Sequence, residues 1–238
     1  MLSALSNHLR YHRVILASQS PRRLELLRDC GLSFEVIPSS FEENLSKEQF
    51  PTPDLYVMEN AKQKALEVLH RVSSDEKAHS ELSTVIIGCD TVVVQDGVIL
   101  EKPKDKEDAF NMLTKLSDRP HEVFSGVAIF TTERGIDNPH LFFEKTSLVF
   151  GPLEPEDIHF YIATGEPMGK AGAYGLQGET QHLKLQWVGR PGLTDTFFST
   201  GRARCFVKEV HGCSNNVIGF PVQRFCHELK SLTSRNEI

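Results

Sequence analysis

The chain has 238 residues, 39% of them apolar and 24% charged, and a formal net charge of −6. That length can bury a full core, the composition argues against extended disorder, and the acidic balance leaves no general footprint for nucleic acid. No apolar run approaches the roughly 20 residues of a membrane span, so no membrane association is expected. The five cysteines (Cys30, Cys89, Cys205, Cys213 and Cys226) form no C-x-x-C pair and no metal-ligand rhythm, which suits reduced thiols in a cytoplasmic protein. Residues 1–13 are basic, without acids and without a proper apolar h-region. They read as an N-terminal extension, with organelle targeting as the weaker alternative.

In chain order, Val14-Ile15-Leu16 reads as a buried strand. Ser20 is a good N-cap, Pro21 suits the first helical position, and Leu24, Leu26 and Leu27 begin a helix that Gly31 can close. Residues 34–40 read as a second strand leading into an acidic stretch. Thr52-Pro53-Asp54 opens a helix to about His70, whose Val57, Met58, Ala61, Ala65 and Val68 share one face with Lys64 at its edge. Residues 71–83 are a polar loop. In 84–103, Asp96-Gly97 between β-branched runs signals a type I′ hairpin. A helix follows at 105–116, then a strand pair at 121–132 and 141–152, then a helix from Pro155 and a glycine-rich stretch at 165–178. "CFVKEVHG" and "NNVIGFPV" read as strands or turns before a terminal helix from Pro221. Strands and helices mix without regular alternation, which predicts α/β or α+β with a mixed sheet.

Arg22 and Arg23 fall at the second and third helical positions, where each cation opposes the helix dipole at roughly 0.3–1 kcal/mol. An anion explains them: free helix N–H groups, forked guanidinium donors and the nearby lysines Lys64 and Lys102 suit a polyphosphate. The hairpin register predicts Gln95 opposite Val98, Val93 opposite Leu100 and Thr91 opposite Lys102, so Asp90 is a diagonal neighbour of Glu101 on one face. Two readings stand for that carboxylate pair. A divalent cation lies between them, or Asp90 is simply solvated where the strand emerges. The "GEPMGKAGAYGLQG" stretch fails as a P-loop, because Ala171 replaces the Ser/Thr and Gly165 is one residue too near. Tyr174 and Gln177 are candidates to stack on and hydrogen-bond a base, but the spacing alone favours a structural loop. His121 and Ser125 share a strand face without a nucleophile-elbow motif, so they read as ordinary strand residues.

The ordered set "ASQSPRRLELL", "FEEN", "ENAKQKAL", "GCDTVV", "EKP", "KAGAYGLQG" and "VIGFP" resembles the Maf family, the septum-formation-inhibitor-like nucleoside triphosphate pyrophosphatases, from about residue 14 to 230. The resemblance implies one Maf/ITPase-like α/β domain over 14–232, with a mixed central sheet and two lobes around an active-site cleft, often dimeric, and a tail at 233–238. It implies cleavage between the α and β phosphates with a divalent metal, Mg²⁺ or Mn²⁺. Asp90 matches the catalytic acid that accepts the proton of the attacking water. Ser18, Ser20, Arg22 and Arg23 match the phosphate-binding turn, and Glu43, Lys64, Glu101 and Lys102 match polar cleft residues. Glu43, Asp90 and Glu101 are then the tentative metal ligands. Arg22, Thr91 and Gln177 resemble the branch acting on dTTP and UTP. Residues 179–204, with Trp187, Arg190, Arg202 and Arg204, look like an insertion beside the base pocket or an inert surface excursion. The expected function is hydrolysis of pyrimidine triphosphates to monophosphate and pyrophosphate. A nucleotide-binding module linked to cell division, without turnover, is the alternative.

Overall fold

The computed structural model describes residues 8–74, 83–177 and 201–238. Residues 1–7, most of the 71–83 loop, and residues 179–200 with Trp187 and Arg190 therefore lie outside the described residues. A seven-stranded mixed sheet carries the fold. Its strands are β1 (His12–Leu16), β2 (Glu35–Val36), β3 (Ser83–Gln95), β4 (Val98–Leu100), β5 (Pro120–Thr131), β6 (His140–Phe150) and β7 (Val207–His211). Among the described residues, six helices pack on it: α1 (Pro21–Asp29), α2 (Pro53–Ser73), α3 (Lys106–Leu116), α4 (Pro155–Ala163), α5 (Ser214–Ile218) and α6 (Val222–Ser234). The order is β2-β1-β3-β5-β6-β7, with β4 paired to β3; β1 runs parallel to β2 and β3, and the other pairs are antiparallel.

Strand β3 builds the cleft. Along one edge it pairs with β1 as far as Ile87 and with β4 from Val93. The stretch between them, Gly88 to Val92, lies where one edge partner has left and the next has not begun. Its two faces pack differently along its length. Val85, Ile87 and Cys89 join Leu16, Leu27, Phe225 and Leu229, whereas Val93 joins Leu113, Leu116, Ile158 and Tyr174. The core on this face changes hands at Thr91, and the two lobes meet there. On the opposite face α2 covers the whole strand, with Ala61, Ala65 and Val68 against Ile86 and with Tyr56 and Val57 against Val92 and Val94.

Two glycines let α2 lie unusually close to the sheet. A Cβ on Gly88 would sit 2.1 Å from the Ala61 carbonyl oxygen, and one on Gly126 would sit 2.4 Å from the Val57 carbonyl carbon. Backbone cannot yield as a side-chain tip can, so no larger residue fits at either place. Gly126 is paired directly with Asp90. The close approach thus falls where the acidic side chain leaves the sheet.

Several expectations need correction. The 34–40 strand is only Glu35–Val36, both exposed, because Ile37 N reaches the last β1 carbonyl, Leu16 O, at 3.1 Å and Pro38 has no N–H to carry the ladder on. "NNVIG" is not a strand but α5, which Gly219 ends at φ 129°. α2 runs on to Ser73. The boundary at residue 14 falls inside β1, and Leu9 is already buried in the same cluster as Ile238. The expected tail is tied in as well, with Arg134 paired to Glu237 and His8 Nε2 2.9 Å from the Ile238 carbonyl. Residues 201–204, assigned to the insertion, belong to the packed fold, since Ala203 is buried and Gly201 N donates to Leu176 O at 3.1 Å.

Candidate active site

A cleft of about 340 Å³ opens at the stretch of β3 whose edge lies between β1 and β4. Its first wall is the turn from β1 into α1. Ala17 N donates to Ile87 O at 2.8 Å, so the chain stays on β3 until Ser18, then leaves to start α1. Ser20 occupies the N-cap with φ −67° and ψ 116°, yet its hydroxyl makes no capping bond. The α1 N-terminus therefore presents its first-turn N–H groups beside a cleft that Ser18, Ser20, Arg22 and Arg23 all line.

The two arginines have different roles. Arg23 is a staple: Nε donates to Gly219 O at 2.9 Å, one terminal nitrogen to Ser18 Oγ at 3.2 Å, and the other to Thr91 Oγ1 at 3.1 Å. It ties the turn, β3 and the end of α5 together, and Thr91 Oγ1 continues the chain to Ser125 Oγ at 2.9 Å. Arg22, one position earlier on α1, lines the cleft. The expectation that both guanidiniums serve the anion alike gives way to one that lines the cleft and one that organises it.

The cleft floor is an alternating cluster of charge. Lys64, buried mid-helix on α2, donates to Asp90 Oδ1 at 2.7 Å and pairs with Glu43 Oε1 at 3.0 Å. Asp90 is 5% exposed. Lys102 lies 3.9 Å from the same Glu43 oxygen, and Glu101 is held by Lys47 at 2.6 Å. The hairpin forms in the expected register, with Asp96 and Gly97 both at positive φ, but the ladder stops at Val93–Leu100 and Thr91 never pairs with Lys102. The cation expected between Asp90 and Glu101 is thus a lysine ammonium between Asp90 and Glu43. Among the described residues no group of three His, Cys, Asp or Glu side chains is placed to hold a metal, since lysines interleave Glu43, Asp90 and Glu101. Asp90 and Glu43 remain hard oxygen donors on one lysine, and one or two carboxylates plus substrate phosphates are what Mg²⁺ ordinarily takes. The carboxylates make themselves felt on Tyr56: burial raises its phenol above the usual range, and the charges of Asp90, Glu101 and Glu43 add to this.

The second wall is largely apolar. Val93, Val123, Val217 and Ile218 line it with the Gly169–Gly175 loop. Lys170, dismissed with the failed P-loop pattern, lies here 3% exposed, its Nζ donating to Glu166 O at 2.6 Å. Gly175 makes room for its stem, because a Cβ there would meet Lys170 Cδ at 2.7 Å. The sequence signal was the Gly-Lys pair itself, and a lysine followed by small residues needs no Walker geometry to line a cleft. Tyr174 is buried, its hydroxyl 2.9 Å from His121 Nε2 and its ring edge-on to Phe150, so it builds the wall and does not offer a free face for stacking. Burial lowers His121 from 6.5 to about 4. Gln177 is not among the lining residues. Its amide Nε2 donates to Glu25 Oε2 on α1, one turn beyond Arg22.

Residues 13–189 match the family described as Maf-like protein. The chain belongs to the Maf family. Two relatives show how far that likeness extends. A "probable bifunctional dTTP/UTP pyrophosphatase/methyltransferase protein" of Homo sapiens is 42% identical over 98% of this chain, which spans 34% of the human protein. A "dTTP/UTP pyrophosphatase" of Agathobacter rectalis is 40% identical over 92% of this chain and 97% of its own length. Among solved structures the Staphylococcus aureus Ham1 protein matches 58% of this chain and 71% of its own at 16% identity, with a TM-score of 0.34, a partial likeness only.

Proposed function

We propose that this Maf chain is a nucleoside triphosphate pyrophosphatase, hydrolysing dTTP, UTP and related pyrimidine nucleotides to the monophosphate and pyrophosphate. The observation that carries this reading is a carboxylate, Asp90, held 2.7 Å from a buried ammonium beside an open helix N-terminus. The two relatives whose names state dTTP/UTP pyrophosphatase activity support it. Asp90 takes a proton from the attacking water, whose oxygen bonds to the α-phosphorus as the bond to the bridging oxygen breaks. Lys64 holds the Asp90 carboxylate in place, Arg22 and Lys102 bind phosphate oxygens, and the α1 N–H groups stabilise charge on the departing pyrophosphate. A divalent cation, Mg²⁺ or Mn²⁺, would be held by Asp90 and Glu43 and would neutralise phosphate charge. Ser18, Thr91 and Arg23 fix the turn; Arg22 and Thr91 line the cleft and bear on the base preference, whereas Gln177, the third residue expected to do so, stands outside its lining.

Beyond the substrate, the reading includes a cytoplasmic homodimer with no nucleic-acid or membrane partner. Among the described residues no helix is long and apolar enough to cross a membrane. Product analysis with UTP, dTTP, CTP, GTP and ATP tests the reading, with Asp90→Asn as control. UMP plus pyrophosphate is expected, with turnover lowered at least about 1,000-fold in the variant. Orthophosphate release would refute it, and nucleotide bound without turnover would make the cleft a binding module.

A further inference from the structure

Lys64 and Lys102 are the cleft lysines expected to meet phosphate, and one carboxylate already lies on both. Glu43 Oε1 is 3.0 Å from Lys64 Nζ and 3.9 Å from Lys102 Nζ. An oxyanion between two ammonium groups stands where a phosphate oxygen would stand. The floor beneath it is fixed: the Lys64 and Asp90 side chains are 10% and 8% exposed and pair at 2.7 Å. Glu43 is 42% exposed and belongs to residues 41–50, whose backbone, among the described residues, bonds to backbone only within that segment. Side chains hold the segment down. Leu45 and Phe50 pack against the cluster of Tyr56, Val92 and Val94, and Lys47 pairs with Glu101 at 2.6 Å. Of the two carboxylates on Lys64, Glu43 is therefore the one that can leave.

We propose that Glu43 is a specificity-determining residue that closes the lysine site to bare polyphosphate and opens it to polyphosphate complexed with a divalent cation. For its ligand class this rests on the pyrophosphatase reading above. With Glu43 in place, two carboxylates balance two ammonium groups at the floor. A bare polyanion then meets no net positive charge there, and it must expel a carboxylate into its own field. A complexed polyanion brings a cation for which a carboxylate oxygen is an ordinary ligand, so Glu43 exchanges an ammonium for the metal and the lysines pass to the phosphate. Glu43 is displaced in both cases, but only in the second does its charge find a new partner. The discrimination is between two ionic forms of one ligand, and the base plays no part in it.

The probe is inorganic pyrophosphate, titrated calorimetrically into the full chain, first in EDTA and then in excess Mg²⁺. Four chains are compared: wild type, Glu43→Gln, Glu43→Ala and Glu42→Gln. The last removes the same charge from an exposed neighbour whose carboxylate faces Asn44. In EDTA both Glu43 variants are expected to bind pyrophosphate about tenfold or more tightly than wild type, and Glu42→Gln within about twofold of it. In Mg²⁺ the gain should vanish or turn into a loss. An unchanged or weaker affinity in EDTA overturns the proposal. So does a gain of equal size with and without Mg²⁺, or an equal gain in Glu42→Gln, since either marks a long-range charge effect. Pyrophosphate bound by none of the chains overturns it as well. Thermal melting accompanies the titrations, and should one Glu43 variant melt early, the other decides. A chain that shows the reversal yet hydrolyses no triphosphate keeps this gate and loses the pyrophosphatase reading; a pyrophosphatase without the reversal does the opposite.

Discussion

Helices α1 and α2 both bring positive charge to the cleft, by opposite routes. α1 does it end-on: a loop leaves β1, the helix starts at Pro21, and its first turn lines the site while Leu26 and Leu27 anchor its later turns in the core. α2 does it side-on, from the middle of a 21-residue helix, and Lys64 reaches Asp90 where Gly88 and Gly126 let the helix backbone lie against the sheet. The end-on route is written in a few adjacent residues and tolerates change around it. The side-on route depends on atoms far apart in sequence, and small changes in the sheet should disable it.

The largest effect should come from closing the gap beneath α2. Gly88→Ala pushes a methyl group to within 2.1 Å of a backbone oxygen. It is expected to cost about 3 kcal/mol and lower Tm by roughly 10 °C. Turnover should fall with it, because Lys64 moves with the helix; calorimetry and a UTP assay on one preparation read both. Next comes Lys64→Met, which keeps the packing and removes the charge. Turnover is expected to fall about 100-fold with KM changed much less, since Asp90 loses its aim and the phosphates keep Arg22; a kcat and KM split measures this. If KM alone moved, α2 would merely bind phosphate, as α1 does.

A change remote from both helices sets the scale. His121 is held near 4 by burial, against 6.5 when unfolded. Its contribution is therefore complete above pH 6.5 and lost progressively as pH falls towards 4, because the unfolded chain binds the proton first. His121→Gln should cost about 1 kcal/mol at neutral pH through the lost Tyr174 bond and should flatten the fall in Tm between pH 6.5 and 4. Melting curves across that window decide it, and an unchanged slope would remove His121 as the source. The smallest effect is expected at Ser20. An N-cap serine usually contributes about 1 kcal/mol, but this hydroxyl makes no capping bond, so Ser20→Ala should shift stability by less than about 0.5 kcal/mol and raise KM for UTP a few-fold.

The same contrast explains what the sequence made legible. Strand–turn–helix at 14–31, the Asp96-Gly97 hairpin and the apolar stripe of α2 all rest on local rules, and all formed. Arg22 and Ser20 could be placed because helix starts obey position-specific chemistry. Lys64 read as a cation at the edge of an apolar face and a candidate for the polyphosphate, not as the partner of Asp90, because nothing local shows that Gly88 and Gly126 lower the helix onto Asp90. The diagonal pairing of Asp90 with Glu101 failed because β4 ends after three paired residues, before the ladder reaches Lys102. Arg23 looked like a second anion ligand, for the acceptors that occupy it, Gly219 O and Thr91 Oγ1, lie 196 and 68 residues away. Lys170 was passed over for failing a motif whose geometry this cleft does not use. α5 read as strand or turn because a helix of five residues, Ser214–Ile218, is too short to show a helical period.

The junction of Leu176 with Gly201 carries a consequence for how such a scaffold changes over evolutionary time. Gly201 N bonds to Leu176 O, Arg204 Nε bonds to the same oxygen at 2.8 Å, and a Cβ on Gly201 would strike the Gly175 carbonyl at 2.3 Å. Leu176 and Gly201, far apart in sequence, thus close on each other at one point through bonds between described residues. The spot is a splice site in the protein sense: sequence can be gained, lost or exchanged there without breaking any of these closing bonds. A new partner or regulatory segment grafted at this point would arrive next to Gln177 and Glu25 of α1, without the floor of the cleft having to be rebuilt.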